Sequence, residues 1–134
     1  MKPSIVVDSQ VLALFCDPDS KQHATVAQTV IEHMASGNQL VVPASTWCEL
    51  LGAAYRTTPH AVTIVDQMVA NLAGEVRHID QQTARLAARQ LAKHENLSLA
   101  NALVLGTAQA IEASRIFTTE QSLTQIDRRA HVLG

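Results

Sequence analysis

Aromatic side chains are scarce: one Trp, one Tyr and two Phe make up 3% of 134 residues. So few rings exclude a base-stacking platform of the kind that grips single-stranded nucleic acid. A basic surplus is missing as well. Ten Lys and Arg stand against twelve Asp and Glu, for a net charge of −2 and a pI near 6.3, whereas a general nucleic-acid binder carries an excess of cations. Any handling of nucleic acid must therefore run through a local basic surface and a metal site, or through a partner that brings positive charge. Cysteine is limited to Cys16 and Cys48. Neither has a second thiol or histidine at zinc-ligand spacing, so both are expected as reduced core residues on helices. The six histidines form no pair at metal-binding helical spacing. No stretch approaches the roughly 18 consecutive apolar residues of a membrane span. Met1-Lys2-Pro3 leads straight into a strand instead of a signal-peptide core, and the expectation is a soluble, cytoplasmic protein.

The hydrophobic content of 47% is ample for a core, and the length predicts a single domain over residues 1–134. Short apolar runs at Ser4–Val7, Gln39–Val42 and Arg115–Thr118 have the look of buried strands, and Glu75–Ile79 alternates as a further one. The tail around His131-Val132-Leu133 offers a fifth. Between them lie helical patterns. One opens at Asp8-Ser9, and a second follows Asp17–Ser20, runs to Met34 and is closed by Gly37. A third spans Ser45 to Arg56, and a fourth starts from the cap-and-proline pair Thr58-Pro59 and reaches Leu72, before Gly74. The last two are capped by Asp80 and Ser98 and reach His94 and Ala113. Strands alternating with helices predict a three-layer α/β/α sandwich around a parallel sheet of four to five strands.

Three acids and an amide stand out on this frame: Asp8, Glu49, Asn101 and Glu120. Each lies just beyond an apolar strand or in the helix that follows. Such positions converge at one edge of a parallel sheet, where a divalent metal can sit. Hydrolysis of a phosphodiester wants an activated water, a stabilised leaving oxygen and a neutralised phosphate, all of which metal ions supply. Each residue also has a plainer reading. Asp8 fits a helix N-cap, Thr46-x-x-Glu49 fits a capping box, Asn101 stands three after Ser98, and Glu120 fits a turn. Ser9 and Thr118-Thr119 are placed either to hydrogen-bond the carboxylates or to fill turn and cap positions. Arg85, Arg89 and Lys93 repeat every fourth residue as a basic stripe, a candidate RNA surface that equally describes a solvated helix face. Arg56 lies two turns beyond Glu49, where it can offset the acids or clamp a phosphate. Arg115, Arg128 and Arg129 are further candidates. Apolar faces at Val26, Val30 and Ile31 and at Val62, Val65 and Val69 exceed what one layer covers, which predicts a docked partner helix or a second copy.

In order and spacing these segments resemble the PIN domain, in particular the small toxin ribonucleases of VapC type. Val6-Val7-Asp8-Ser9-Gln10-Val11-Leu12 is similar to that family's opening strand and first acid, and Thr46-Trp47-Cys48-Glu49-Leu50 to the helix bearing its second. Leu97-Ser98-Leu99-Ala100-Asn101-Ala102-Leu103 resembles a segment in which aspartate normally stands at 101. Ile116-Phe117-Thr118-Thr119-Glu120 resembles the last motif, where aspartate is again usual. The resemblance implies a Mg²⁺ or Mn²⁺ site anchored by Asp8, Glu49 and Glu120, with position 101 completing the catalytic set, and endonucleolytic cleavage of RNA. It further implies homodimerisation and a cognate antitoxin. Glu120 keeps the charge on a longer arm. Asn101 removes one charge and cannot act as a base, although its amide still accepts and donates. Two competing readings follow. One is a PIN domain that has lost cleavage and serves as a protein- or RNA-binding module. The other, a phosphatase with Asp8 as nucleophile, is weak because the acid expected two residues on is Gln10.

Overall fold

Three of the apolar runs lie side by side at the centre of one sheet. In the computed structural model, which describes residues 2–134, β1 (Ser4–Val7) pairs in parallel with β2 (Gln39–Pro43) on one side and β4 (Arg115–Thr118) on the other. β3 (Glu75–Arg77) and β5 (Ala130–Val132) complete the order β3-β2-β1-β4-β5, with every pairing parallel. Six helices join the strands among the described residues: α1 (Ser9–Phe15), α2 (His23–Ala35), α3 (Ala44–Tyr55), α4 (Pro59–Asn71), α5 (Gln81–Lys93) and α6 (Leu99–Ala110). A 3-10 turn over Gln121–Gln125 links β4 to β5.

Strand side chains alternate between faces, and the sequence uses both. Ile5, Val7, Leu40, Val42 and Phe117 face one way, into a cluster with Val11 and Leu12 of α1, Val26 and Val30 of α2, Leu50 of α3 and Val65 and Val69 of α4. Val6, Val41 and Ile116 face the other way and meet Val104, Leu105 and Ala108 of α6 together with Leu123. The result is the expected three-layer sandwich. α5 packs on α6 at a close crossing: a Cβ built on Gly106 lies 2.8 Å from the Thr83 carbonyl oxygen and 3.0 Å from the Ala87 nitrogen. Only glycine leaves room there.

Several boundaries differ from expectation. α3 begins at Ala44 with Pro43 as its N-cap, so Thr46 is buried inside the helix and the Thr46–Glu49 capping box does not form. β3 ends at Arg77, and as an edge strand it leaves Val76 exposed. α6 stops at Ala110, and Glu112 turns the chain at a φ of 53°. Ala73, not Gly74, takes the left-handed turn after α4. Cys16 is half-buried and packs against the core, whereas Cys48 is exposed and is not the core residue expected. Val26, Val30, Val65 and Val69 are core and Val62 is half-buried against it, so of the predicted apolar faces Ile31 alone is exposed; Ile64, outside them, is exposed as well.

Candidate active site

The chain leaves β1 for β2 on one side of the sheet and later returns to add β4 on the other. This reversal opens a crevice beyond the carboxyl ends of β1 and β4, the usual ligand position in such sheets. Asp8 follows β1 directly, and Glu120 stands two residues beyond β4. The second turn of α3 and the first turn of α6 bring Glu49 and Asn101 to the same place. All four line one cleft of about 150 Å³, together with Ser9, Gln10 and Ser98.

Asp8 is the buried member, at 4% exposure. Its Oδ1 accepts from the Val11 N–H at 3.0 Å and so caps α1. Its Oδ2 accepts from the Thr118 hydroxyl at 2.6 Å and the Thr119 N–H at 3.3 Å. The Thr118 hydroxyl in turn accepts from the Glu120 N–H at 2.9 Å. Capping and a place in the cleft are therefore compatible: one oxygen serves the helix while the other ties β1 to β4. Burial raises the pKa of Asp8, the hydrogen bonds from Thr118, Val11 and Thr119 oppose the rise, and the charge of Glu120 adds to it. Glu49, released from the capping box, is exposed and accepts from the Ser9 hydroxyl at 3.1 Å. Ser98 caps α6 through the Asn101 N–H at 3.1 Å. The Asn101 side chain makes no hydrogen bond among the described residues, which leaves its amide free for the cleft.

The donors are all oxygens, the chemistry that suits a hard divalent cation. Among the described residues no three His, Cys, Asp or Glu side chains converge on a metal-holding cage. The set fits an ion that keeps several of its waters, as Mg²⁺ does, better than a fully dehydrated one.

Two further clefts adjoin this one. One, lined by Ser9, Gln10, Cys48, Glu49 and Arg56, brings the predicted arginine beside the acids. The other, lined by Lys93 to Ser98, Asn101, Glu120, Ser122, Gln125 and Ile126, brings Lys93 to the opposite flank. Arg85 and Arg89 are exposed on α5 and line none of the three. Arg129 is not a free cation. It pairs with Asp127 at 2.7 Å and donates to the carbonyl of Ala108 at 3.0 Å, which fixes the turn after α6. A larger apolar groove of about 650 Å³ lies away from the acids, between α2 and α4, walled by Phe15, Ile31, Met34, Ile64 and Met68.

Residues 5–129 match the model of the PIN domain. The chain belongs to the PIN domain family. Solved structures with the same PIN fold include VapBC2 of Rickettsia felis bound to a DNA fragment from its promoter, with a TM-score of 0.81 at 10% identity over 98% of this chain and 99% of that one. The sarcin-ricin loop cleaving toxin VapC20 of Mycobacterium tuberculosis has a TM-score of 0.74 at 12% identity, over 91% and 94%. A toxin-antitoxin complex from Klebsiella pneumoniae has 0.74 at 19%, over 96% of each chain. No curated protein matches in sequence. Within this PIN domain, sequence reasoning missed the cleft residues Asn96 and Gln125, since lone amides in polar loops carry no periodicity or motif. No helix among the described residues is long and apolar enough to cross a membrane.

Proposed function

We propose that this chain is a divalent-metal-dependent endoribonuclease, one PIN domain over residues 1–134, acting as the toxin of a type II toxin-antitoxin pair. The observation that carries the proposal is the convergence of Asp8, Glu49, Asn101 and Glu120 on one oxygen-lined cleft at the sheet's switch point. Asp8, Glu49 and Glu120 would hold Mg²⁺ or Mn²⁺, in part through water. The ion would supply a low-pKa water and charge neutralisation at the phosphate. The chain's own part is placement. Val11, Thr118 and Thr119 fix Asp8, Ser9 steers Glu49, and Asn101 orients a water through its amide without taking its proton. Arg56 and Lys93 on the two flanks give the RNA backbone a cation on each side, while Arg85 and Arg89 serve at most a longer duplex. Loss of one carboxylate at Asn101 weakens the ion's hold, so activity below that of an all-acid site is expected.

An antitoxin helix occupying the α2–α4 groove, a homodimer and a cytoplasmic setting complete the reading. The antitoxin is supported by the toxin-antitoxin complexes among the solved structures of this fold. A second reading, a PIN domain that binds without cutting, rests on Asn101 alone. Cleavage of structured and single-stranded RNA in Mg²⁺ or Mn²⁺ by this chain, its Asn101→Asp variant and an Asp8→Ala control separates the two. Metal-dependent cutting by the chain, lost in Asp8→Ala, is expected. Cutting by Asn101→Asp alone makes the protein a binding module, and cutting by neither overturns the nuclease reading.

A further inference from the structure

The cleft on the Lys93 flank holds about 640 Å³ and shares Ser98, Asn101 and Glu120 with the acid cleft, so whatever fills it lies next to the reacting phosphate. Leu97 and Ile126 form an apolar wall, both anchored against the core beneath α6. Around them stand the side-chain amides of Asn96 and Gln125, and neither makes a hydrogen bond among the described residues. Lys93 supplies positive charge, Glu95 and Glu120 negative, so the cleft as a whole is not built for a phosphate. An apolar wall rimmed by unpaired amides suits a flat heterocycle with donors and acceptors on its edge.

We propose that this cleft is a nucleobase subsite that seats the unpaired base flanking the scissile phosphate, with Asn96 and Gln125 as specificity-determining residues and adenine as the preferred base. The proposal rests on the nuclease reading for the position of the scissile phosphate. A carboxamide presents one acceptor and one donor at the spacing of adenine N6–H and N7, the pairing by which Asn and Gln select that base. Guanine is read by Arg or Lys; no arginine lines this cleft, and its one lysine, Lys93, is the cation assigned above to the RNA backbone. The base slides over Leu97 and Ile126 without stacking, since no aromatic ring is present there. The neighbouring phosphate then falls toward Asn101 and Glu120.

The test is a nuclear magnetic resonance titration of the full chain in Mg²⁺ with each of the four ribonucleoside 5′-monophosphates. Backbone and side-chain amide signals are followed, and the Asn96→Ala and Gln125→Ala variants are run in parallel. Both residues are exposed, and surface substitutions of this kind leave the fold intact. Adenosine monophosphate should move the signals of residues 93–98 and 122–126, bind about tenfold more tightly than the uridine nucleotide, and lose that preference in Gln125→Ala. Equal binding of all four, shifts that spare these segments, or a preference untouched by both variants would overturn the proposal. The failures are separable. Base-selective binding in a chain that cuts no RNA leaves the subsite standing and removes the nuclease reading. RNA cleavage with base preference unchanged in both variants removes the subsite alone.

Discussion

Replacing Thr118 with valine tests how the cleft is held together. The residue is fully buried, and its hydroxyl is the joint between Asp8 on β1 and the backbone of Glu120 after β4. Valine keeps the shape and suits a strand, so the change removes hydrogen bonding and little else. A buried hydrogen bond to a charged group contributes about 1.5–3 kcal/mol. The Glu120 N–H also loses its acceptor, but near the surface, where water substitutes. The expected loss at pH 7 is about 2–3 kcal/mol, a urea midpoint lower by roughly 1–2 M. The sign with pH follows from Asp8. Burial gives it a folded pKa above its ordinary 3.8. Its contribution to stability is therefore greatest with the proton on and falls as pH rises through that raised value. The Thr118 hydroxyl limits that fall by favouring the carboxylate, so its removal costs most where Asp8 is ionised. The deficit of Thr118→Val should shrink to about 1 kcal/mol once Asp8 is protonated. Urea denaturation in EDTA at pH 7 and at about pH 3, below the ordinary carboxylate value, with Thr118→Ser as the hydroxyl-retaining control, measures it. A deficit equal at the two pH values, or below about 0.5 kcal/mol, refutes the reasoning.

Ser9→Ala should leave the urea midpoint unchanged but weaken Mn²⁺ binding by about tenfold, because the hydrogen bond that orients Glu49 is lost. Gly106→Ala should destabilise the chain by about 1–3 kcal/mol through contact with the Thr83 carbonyl, a loss read as a lower thermal midpoint. Asp127 has its pKa lowered, chiefly by the Arg129 hydrogen bond. Its stabilisation is therefore present above the ordinary carboxylate pKa and lost as pH falls through the lowered one. Asp127→Asn should cost about 1 kcal/mol at pH 7 and flatten the acid limb of the stability curve.

The sheet was legible because its central strands are buried on both faces and so appear as unbroken apolar runs. Caps at Asp8, Thr58, Asp80 and Ser98 were equally plain, since each side chain accepts from the N–H three residues on. Where the chain departs from expectation, tertiary packing prevails over local pattern. Thr46 sits inside α3 because the helix starts straight from the Pro43 end of β2, which the capping-box spacing did not reveal. Ile111 to Ala113 continue the apolar composition of α6 while Glu112 breaks it with a positive φ. The amphipathic stripes on α2 and α4 overstated the free surface because both helices bury valines against the sheet, leaving Ile31 at 51% exposure beside the groove. The clustering of Asp8, Glu49, Asn101 and Glu120 was expected from chain order together with the resemblance to the PIN-domain motifs. Thr118 and Thr119 already stood out as residues placed to hydrogen-bond a carboxylate or to fill turn and cap positions, and they meet Asp8, whereas the Asn96–Gln125 cleft depends on side-chain contacts that spacing does not encode.

Everything proposed for the cleft depends on its being a cation site, and calorimetric titration of Mn²⁺ into the metal-free chain tests that most directly. Binding that disappears in Asp8→Ala and tightens in Asn101→Asp, where a fourth carboxylate is added, is the predicted result. No binding in any of the three proteins, or binding indifferent to both substitutions, contradicts the account.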